Sequence, residues 1–139
     1  MNSTSTSLPE STPQALTPRP PSVLVVDDDA LVVGMFTDAL RDEGYDVYSA
    51  ADGEEALECV ARASAVIVDF RMPTLDGLGF VRRLRERDAH MPVAVVTGDY
   101  LIESAVLEQF ATLGVRVVFK PVWLDQLVAL ATEMLKDRI

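Results

Sequence analysis

Residues 65–73 read Ala65-Val66-Ile67-Val68-Asp69-Phe70-Arg71-Met72-Pro73, an apolar and largely β-branched run that stops on a carboxylate. A short, uniformly apolar run of this kind predicts a strand buried on both faces. The same pattern recurs on either side. Val23-Leu24-Val25-Val26 stops on Asp27-Asp28-Asp29, and Val93-Ala94-Val95-Val96 stops on Thr97-Gly98. A second strand is predicted over 47–50 and a fifth over 115–119, the latter stopping on Lys120-Pro121. Helical spacing fills the intervals, over 30–43, 54–62, 77–87, 101–113 and 124–138, with Gly44 and Gly114 closing the first and fourth helices. Strands alternating with helices predict an α/β fold, a doubly wound five-stranded parallel sheet with five helices.

The composition changes near residue 22. Of the first 22 residues, 14 are Ser, Thr or Pro, including five of the eight prolines. Such a segment has little apolar surface to offset the entropy of ordering it, so 1–22 reads as a flexible arm and 23–139 as the folded domain. Against 12 Lys and Arg stand 22 Asp and Glu, a net charge of −10, which repels phosphate backbones and argues against direct DNA binding. No apolar stretch approaches the ~20 residues of a membrane span, and no basic-then-apolar leader opens the chain. Cys59 is the only cysteine, which excludes an intrachain disulfide and a multi-thiolate zinc site. The cytoplasm is the expected location.

In open parallel sheets, ligands bind beyond the carboxyl ends of the strands. Those ends carry Asp27, Asp28, Asp69, Thr97 and Lys120, so carboxylates, a hydroxyl and an ammonium are expected along one edge. Hard oxygen donors without His or Cys suit Mg²⁺, Mn²⁺ or Ca²⁺, not zinc. Asp29 is placed to cap the first helix and Asp76 the third. Cys59 reads as core filler, and His90 as a solvated loop residue.

Four segments together carry a resemblance: Val25-Val26-Asp27-Asp28, Val68-Asp69-Phe70-Arg71-Met72-Pro73 with Asp76-Gly77, Val96-Thr97-Gly98, and Phe119-Lys120-Pro121. They resemble the receiver domain of bacterial response regulators, a flavodoxin-like (βα)5 fold of the chemotaxis type, over about residues 22–138. The resemblance implies a phosphoacceptor at Asp69, which takes a phosphoryl group from a phosphohistidine. It implies Mg²⁺ or Mn²⁺ held by Asp28 directly, by Asp27 mainly through water, by Asp69 and by the Arg71 carbonyl. Lys120 is implied as the complementary charge and Thr97 as the hydroxyl that follows the phosphoryl group. Gly98 leaves room for that group, and the Lys120-Pro121 bond is expected to be cis.

The chain departs from the family at Val117, where an aromatic ring is usual three residues before the lysine; a β-branched side chain has no ring to swing. Phe119 and Tyr100 do not occupy that position. The implied partners are a histidine kinase or a histidine phosphotransfer protein, and a downstream protein target. With the chain ending at Ile139, a stand-alone receiver is expected, a signalling domain rather than an enzyme. The competing reading is a haloacid-dehalogenase-like, Mg²⁺-dependent phosphatase, which Asp27-Asp28-Asp29 satisfies superficially.

Three surfaces are expected from the pattern. Leu31, Val32 and Met35 lie outside the first helix's core stripe of Val33, Phe36 and Leu40 and suit a kinase dock. On the last helix Leu124, Leu127, Val128, Ala131 and Leu135 form a core stripe, and Trp123, Leu130 and Met134 widen it toward a homodimer contact through the fourth and fifth helices. Arg71 and Asp99, both two residues past a site residue, are expected to pair across the mouth of the site and to modulate its chemistry.

Overall fold

The computed structural model describes residues 20–136. Five strands, β1 (Ser22–Val26), β2 (Asp46–Ala50), β3 (Ala65–Asp69), β4 (Val93–Thr97) and β5 (Arg116–Phe119), form one parallel sheet in the order β2-β1-β3-β4-β5. The helices are α1 (Ala30–Asp42), α2 (Gly53–Cys59), α3 (Gly77–Arg87), α4 (Ser104–Thr112) and α5 (Leu124–Leu135). Alternation along each strand divides the core in two. Leu24, Val26, Val66, Val68, Val93 and Val95 face α2, α3 and α4, where Leu57, Phe80, Leu84 and Phe110 pack on them. Val23, Val25, Ala65, Ile67, Ala94 and Val96 face α1 and α5, under Phe36, Leu40, Leu127 and Leu135. This double coverage is why the three central strands carry no charge before their last residue.

Caps fix where the helices start. Asp29 accepts from the Leu31 N–H at 3.0 Å, Asp52 from Glu55 at 2.8 Å and Asp76 from Gly79 at 2.9 Å. Gly44 (φ 103°) and Gly114 (φ 71°) take the left-handed turns that return the chain to β2 and β5.

Several boundaries differ from the expectation. Ser22 belongs to β1 and not to the arm: its hydroxyl donates to the Arg62 carbonyl at 2.6 Å and its N–H to Ser64 at 3.1 Å. The remainder of the arm through residue 19 lies outside the described residues, as do 137–139. The second helix stops at Cys59 and tightens into a 3₁₀ turn, Val60–Arg62, which aims the chain into β3. The fourth helix begins at Ser104, because Asp99 accepts from the Leu101 N–H at 3.0 Å and holds a turn ahead of it. On α5 the stripe is rotated from the one expected. Met134 is buried, whereas Leu124, in the first turn, is 45% exposed. Val32 is only half-buried and leans on the α1–α5 core, while Leu31 and Met35 are exposed. Cys59 is half-buried at the rim of the other core, and His90 is exposed.

Two glycines separate packing from backbone entropy. A Cβ on Gly77 would lie 2.8 Å from the Asp69 carbonyl oxygen, whereas one on Gly34, exposed in mid-α1, would meet nothing within 4 Å. Gly77→Ala is therefore expected to cost about 1–3 kcal/mol in urea melts. Gly34→Ala is expected to add about 0.5–1 kcal/mol. A loss of stability in both variants would contradict this account.

Candidate functional site

Strand register brings the site together. Val26 pairs with Val68, Asp69 with Val96, and Thr97 with Phe119, so Asp27, Asp69, Thr97 and Lys120 fall within a residue of one line across four strands. That line crosses the gap between β1 and β3, where the strand order reverses, the usual place for a ligand in such sheets. Carboxylate oxygens of Asp27, Asp28 and Asp69 all lie within 4.8 Å of one another. Asp27 and Asp69 are buried and Asp28 is exposed, which leaves the cluster one solvent-facing side.

Lys120 Nζ reaches in from β5, 3.5 Å from Asp69 Oδ1 and 3.7 Å from Asp27 Oδ2. Burial pushes the Asp69 carboxyl up to about 6, with Asp27 adding to the rise and Lys120 opposing it. Burial also raises Asp27, against the N–H of Asp29, which donates to it at 2.9 Å, and against Lys120. The Lys120-Pro121 bond is cis. Three carboxylates with no His or Cys among them match a hard divalent cation such as Mg²⁺ or Mn²⁺.

Thr97 is fully buried at the end of β4, and its Oγ1 accepts from the Asp99 N–H at 3.0 Å. A methyl on Gly98 would make ordinary contact with the Lys120 stem, 3.8 Å away. Arg71 bonds the Asp99 carboxylate through Nε at 3.1 Å and also through Nη2. That bond holds the Asp99 carboxyl below the usual carboxylate range. The Arg71 guanidinium lies 4.9 Å over the Phe70 ring, and its side chain is 70% exposed. Val117 is half-buried against the core on the α2–α4 side.

One feature of the site is absent from the sequence reading. The Tyr100 hydroxyl donates to the Lys120 carbonyl, and its ring stacks on Phe119 with centroids 5.6 Å apart and planes at 17°. The only sequence signal is two aromatics near neighbouring strand ends, Phe119 closing β5 and Tyr100 three residues past β4. It carries no periodicity.

The family profile described as the response regulator receiver domain matches residues 23–132. The chain belongs to the response regulator receiver family. It is 38% identical over 120 residues to the transcriptional regulatory protein PrrA of Mycobacterium tuberculosis, an alignment covering 85% of this chain and 51% of that one. It is 37% identical over 122 residues to the response regulator MprA of Mycolicibacterium vanbaalenii, with 84% and 51% covered. The chain thus spans about half the length of these relatives. Among solved structures, a response regulator receiver protein from Pseudomonas putida is 31% identical with a TM-score of 0.76, covering 84% of this chain and 99% of that one. A CheY-like receiver domain from Methanospirillum hungatei, 23% identical over 86% of this chain and 96% of its own, shares the fold with a TM-score of 0.79. The receiver is a signalling domain of two-component systems, and the phosphatase reading is set aside. No helix among the described residues is long and apolar enough to cross a membrane.

The raised Asp69 carboxyl has a measurable consequence in ion-free protein. Its folded value of about 6 lies above the ordinary 3.8, so the folded receiver holds that proton more tightly than the unfolded chain. The stability this contributes is complete below the ordinary value and is lost as pH rises through the folded one. Asp69→Asn removes the ionisation, and with a chelator at about pH 7 it is expected to be more stable than wild type by about 1–3 kcal/mol. The gap should close near pH 4. Equal urea midpoints at neutral pH would show that Asp69 is not electrostatically frustrated.

Proposed function

We propose that this receiver accepts a phosphoryl group on Asp69 from a phosphohistidine of a histidine kinase or histidine phosphotransfer protein in the cytoplasm, and signals by phosphorylation-dependent binding or by passing the group on. The observation that carries this reading is the convergence of Asp27, Asp28 and Asp69 within 4.8 Å, with Lys120 Nζ 3.5 Å from Asp69. Asp27, Asp28, Asp69 and the Arg71 carbonyl would hold Mg²⁺ or Mn²⁺. When bound, that ion supplies the positive charge that lets a carboxylate and a phosphoryl group approach.

The chain's own residues do the rest. An Asp69 carboxylate oxygen forms the new bond to phosphorus as the phosphorus–nitrogen bond breaks, and the departing imidazole keeps the electron pair and takes up a proton. Lys120, with Nζ 3.5 Å from Asp69, balances the charge that moves onto the phosphoryl oxygens. Because Thr97 Oγ1 accepts from Asp99, its own hydroxyl proton remains free to donate to one of those oxygens. Gly98 keeps the approach open. The exposed Leu31 and Met35, with half-buried Val32, lie on the first turns of α1 beside this edge and suit the donor protein. Trp123, Leu124, Tyr100 and Phe119 leave apolar surface exposed from the β4–α4 loop across β5 to α5, which supports target binding or a homodimer there.

The reading predicts that Asp69→Asn abolishes labelling by acetyl phosphate and Mg²⁺ in intact-mass spectrometry, with the fold retained by circular dichroism. Undiminished labelling would remove Asp69 as the acceptor.

Arg71 and Asp99 shield the mouth of the site in this reading. Such a surface pair contributes little stability, so its effect is on the rate at which water reaches the aspartyl phosphate. Arg71→Ala and Asp99→Ala should each hasten loss of the phosphoryl group, and the double variant should be less than additive. Unchanged rates in both single variants would eliminate the gate.

A further inference from the structure

A parallel sheet has two ends, and the one opposite Asp69 holds a second polar recess. The last turn of α3, the start of β4, the turn into β5 and the end of α5 enclose a pocket of about 350 Å³. Arg85, Arg116 and Lys136 line it beside a single carboxylate, Glu133, while the buried Met91 and Met134 supply an apolar floor. Three cations against one carboxylate leave two positive charges unmatched, in a chain whose net charge is −10. β4 runs from this pocket at Val93 to the edge that carries Asp69 at Thr97, about 13 Å away.

Arg85 is held in place for an anion and lacks one. Its Nε donates to the Leu113 carbonyl at 2.7 Å and its Nη1 to the Asp88 carbonyl at 3.1 Å. Those bonds fix the plane of the guanidinium and leave Nη2 with no partner among the described residues. Gly114 borders that nitrogen, and even a methyl there would stop 4.0 Å from it, so the glycine leaves Nη2 uncovered. The Asp88 carboxylate is engaged elsewhere, accepting the N–H groups of His90 and Met91 at 2.9 and 3.0 Å. Burial pulls the Arg85 guanidinium below its ordinary pKa, with Asp88 opposing, as for a cation short of a counter-charge. Arg116 and Lys136 share Glu133, at 3.9 and 3.1 Å from its Oε2, and one carboxylate cannot neutralise both.

We propose that this pocket binds a small phosphate monoester with an aromatic body, its phosphate on Arg85 Nη2, Arg116 and Lys136 and its ring on the methionine floor. The charge fits, because a monoester dianion matches the two unpaired cations, whereas a carboxylate would leave one of them unmatched. A guanidinium fixed in its plane presents N–H groups to phosphate oxygens, and two thioethers suit the face or edge of a ring. The volume lies within the range of small-ligand sites. A polyanion such as a nucleic acid is the wrong occupant, because beyond the recess it meets a chain of net charge −10. The pocket takes no part in the phosphoryl transfer proposed for Asp69, so the two readings stand or fall separately.

The test titrates phenyl phosphate into the ¹⁵N-labelled full-length chain in metal-free Tris buffer at about pH 7.5, where the monoester is a dianion. Inorganic phosphate, which lacks the ring, and benzoate, which carries a single charge, are the controls. Phenyl phosphate is expected to shift the amides of His90, Met91, Gly114 and Arg116 and to bind about tenfold more tightly than either control. Arg116→Gln combined with Lys136→Gln should weaken binding about tenfold or more, with the thermal midpoint close to wild type because both side chains are exposed. Glu133→Gln removes the competing carboxylate and should tighten binding about threefold, an increase that a purely structural role for the cluster would not produce. Acetyl phosphate labelling in Mg²⁺, read separately on the same variants, should match wild type; failure of labelling in wild type itself would count against the phosphoacceptor reading and leave the binding result standing. Equal affinity for phenyl phosphate and inorganic phosphate, shifts centred on Asp27, Asp28 and Asp69, or unchanged affinity in the double variant would overturn the proposal.

Discussion

The contact on which the site depends is that of Lys120 Nζ with two buried carboxylates, 3.5 Å from Asp69 and 3.7 Å from Asp27. Opposite charges about 4 Å apart attract by roughly 4 kcal/mol at an effective dielectric near 20, and the two carboxylates repel each other on a similar scale. One ammonium offsets only part of the cost: burial first, with Asp27 adding to it, keeps the Asp69 carboxyl raised to about 6 even with Lys120 beside it. A wholly apolar strand end would give a more stable sheet. The frustration at Asp69 is local, lies at the mouth of the sheet, and is of the kind that functional sites retain and the surrounding core compensates.

That compensation comes from the register. β1, β3 and β4 are buried on both faces, and a one-residue slip of any of them would exchange its two apolar faces between two differently shaped helical layers. The same pairing that protects the core also sets Asp27 beside Asp69 and Asp69 beside Val96. Site geometry is thus a by-product of core packing. The β3–α3 connection adds to it, because Gly77 approaches the Asp69 carbonyl too closely for any side chain and donates its N–H to Phe70 at 2.9 Å.

The parts legible in the sequence are those governed by strong local rules. Uniform apolar runs announce buried strands, Asp29 and Asp76 announce helix starts, and Gly44 and Gly114 announce the ends that need left-handed backbone. Carboxylates at two strand ends and a lysine at a third announce the site, because a parallel sheet aligns its carboxyl ends. The parts that are not legible depend on geometry between elements. The apolar pattern of α5 is wide enough to accommodate two neighbouring orientations, and only the position of the sheet beneath it buries Met134 and frees Leu124. The shortened α2 answers to the entry of the chain into β3, and the delayed α4 to a side-chain turn at Asp99. The Tyr100 contact with Lys120 spans two connections and has no periodic signature.

These last contacts bear on how a change at the site would travel. With Val117 in place of an aromatic ring, no large side chain is available at that position to report on Thr97. The structure instead offers a connected set of bonds: Thr97 Oγ1 accepts from Asp99, Asp99 accepts from Leu101 and pairs with Arg71, and Tyr100 of the same loop holds the Lys120 carbonyl. Coupling requires that a ligand distinguish two arrangements of such a set. A phosphoryl oxygen that drew the Thr97 hydroxyl toward it would move the acceptor of the Asp99 N–H, and with it the turn that delays α4 until Ser104. The one loop that touches Thr97, Lys120 and the start of α4 is therefore the physical candidate for the transmitting element, and its stacked, exposed Tyr100 and Phe119 are the surface on which the change would be read.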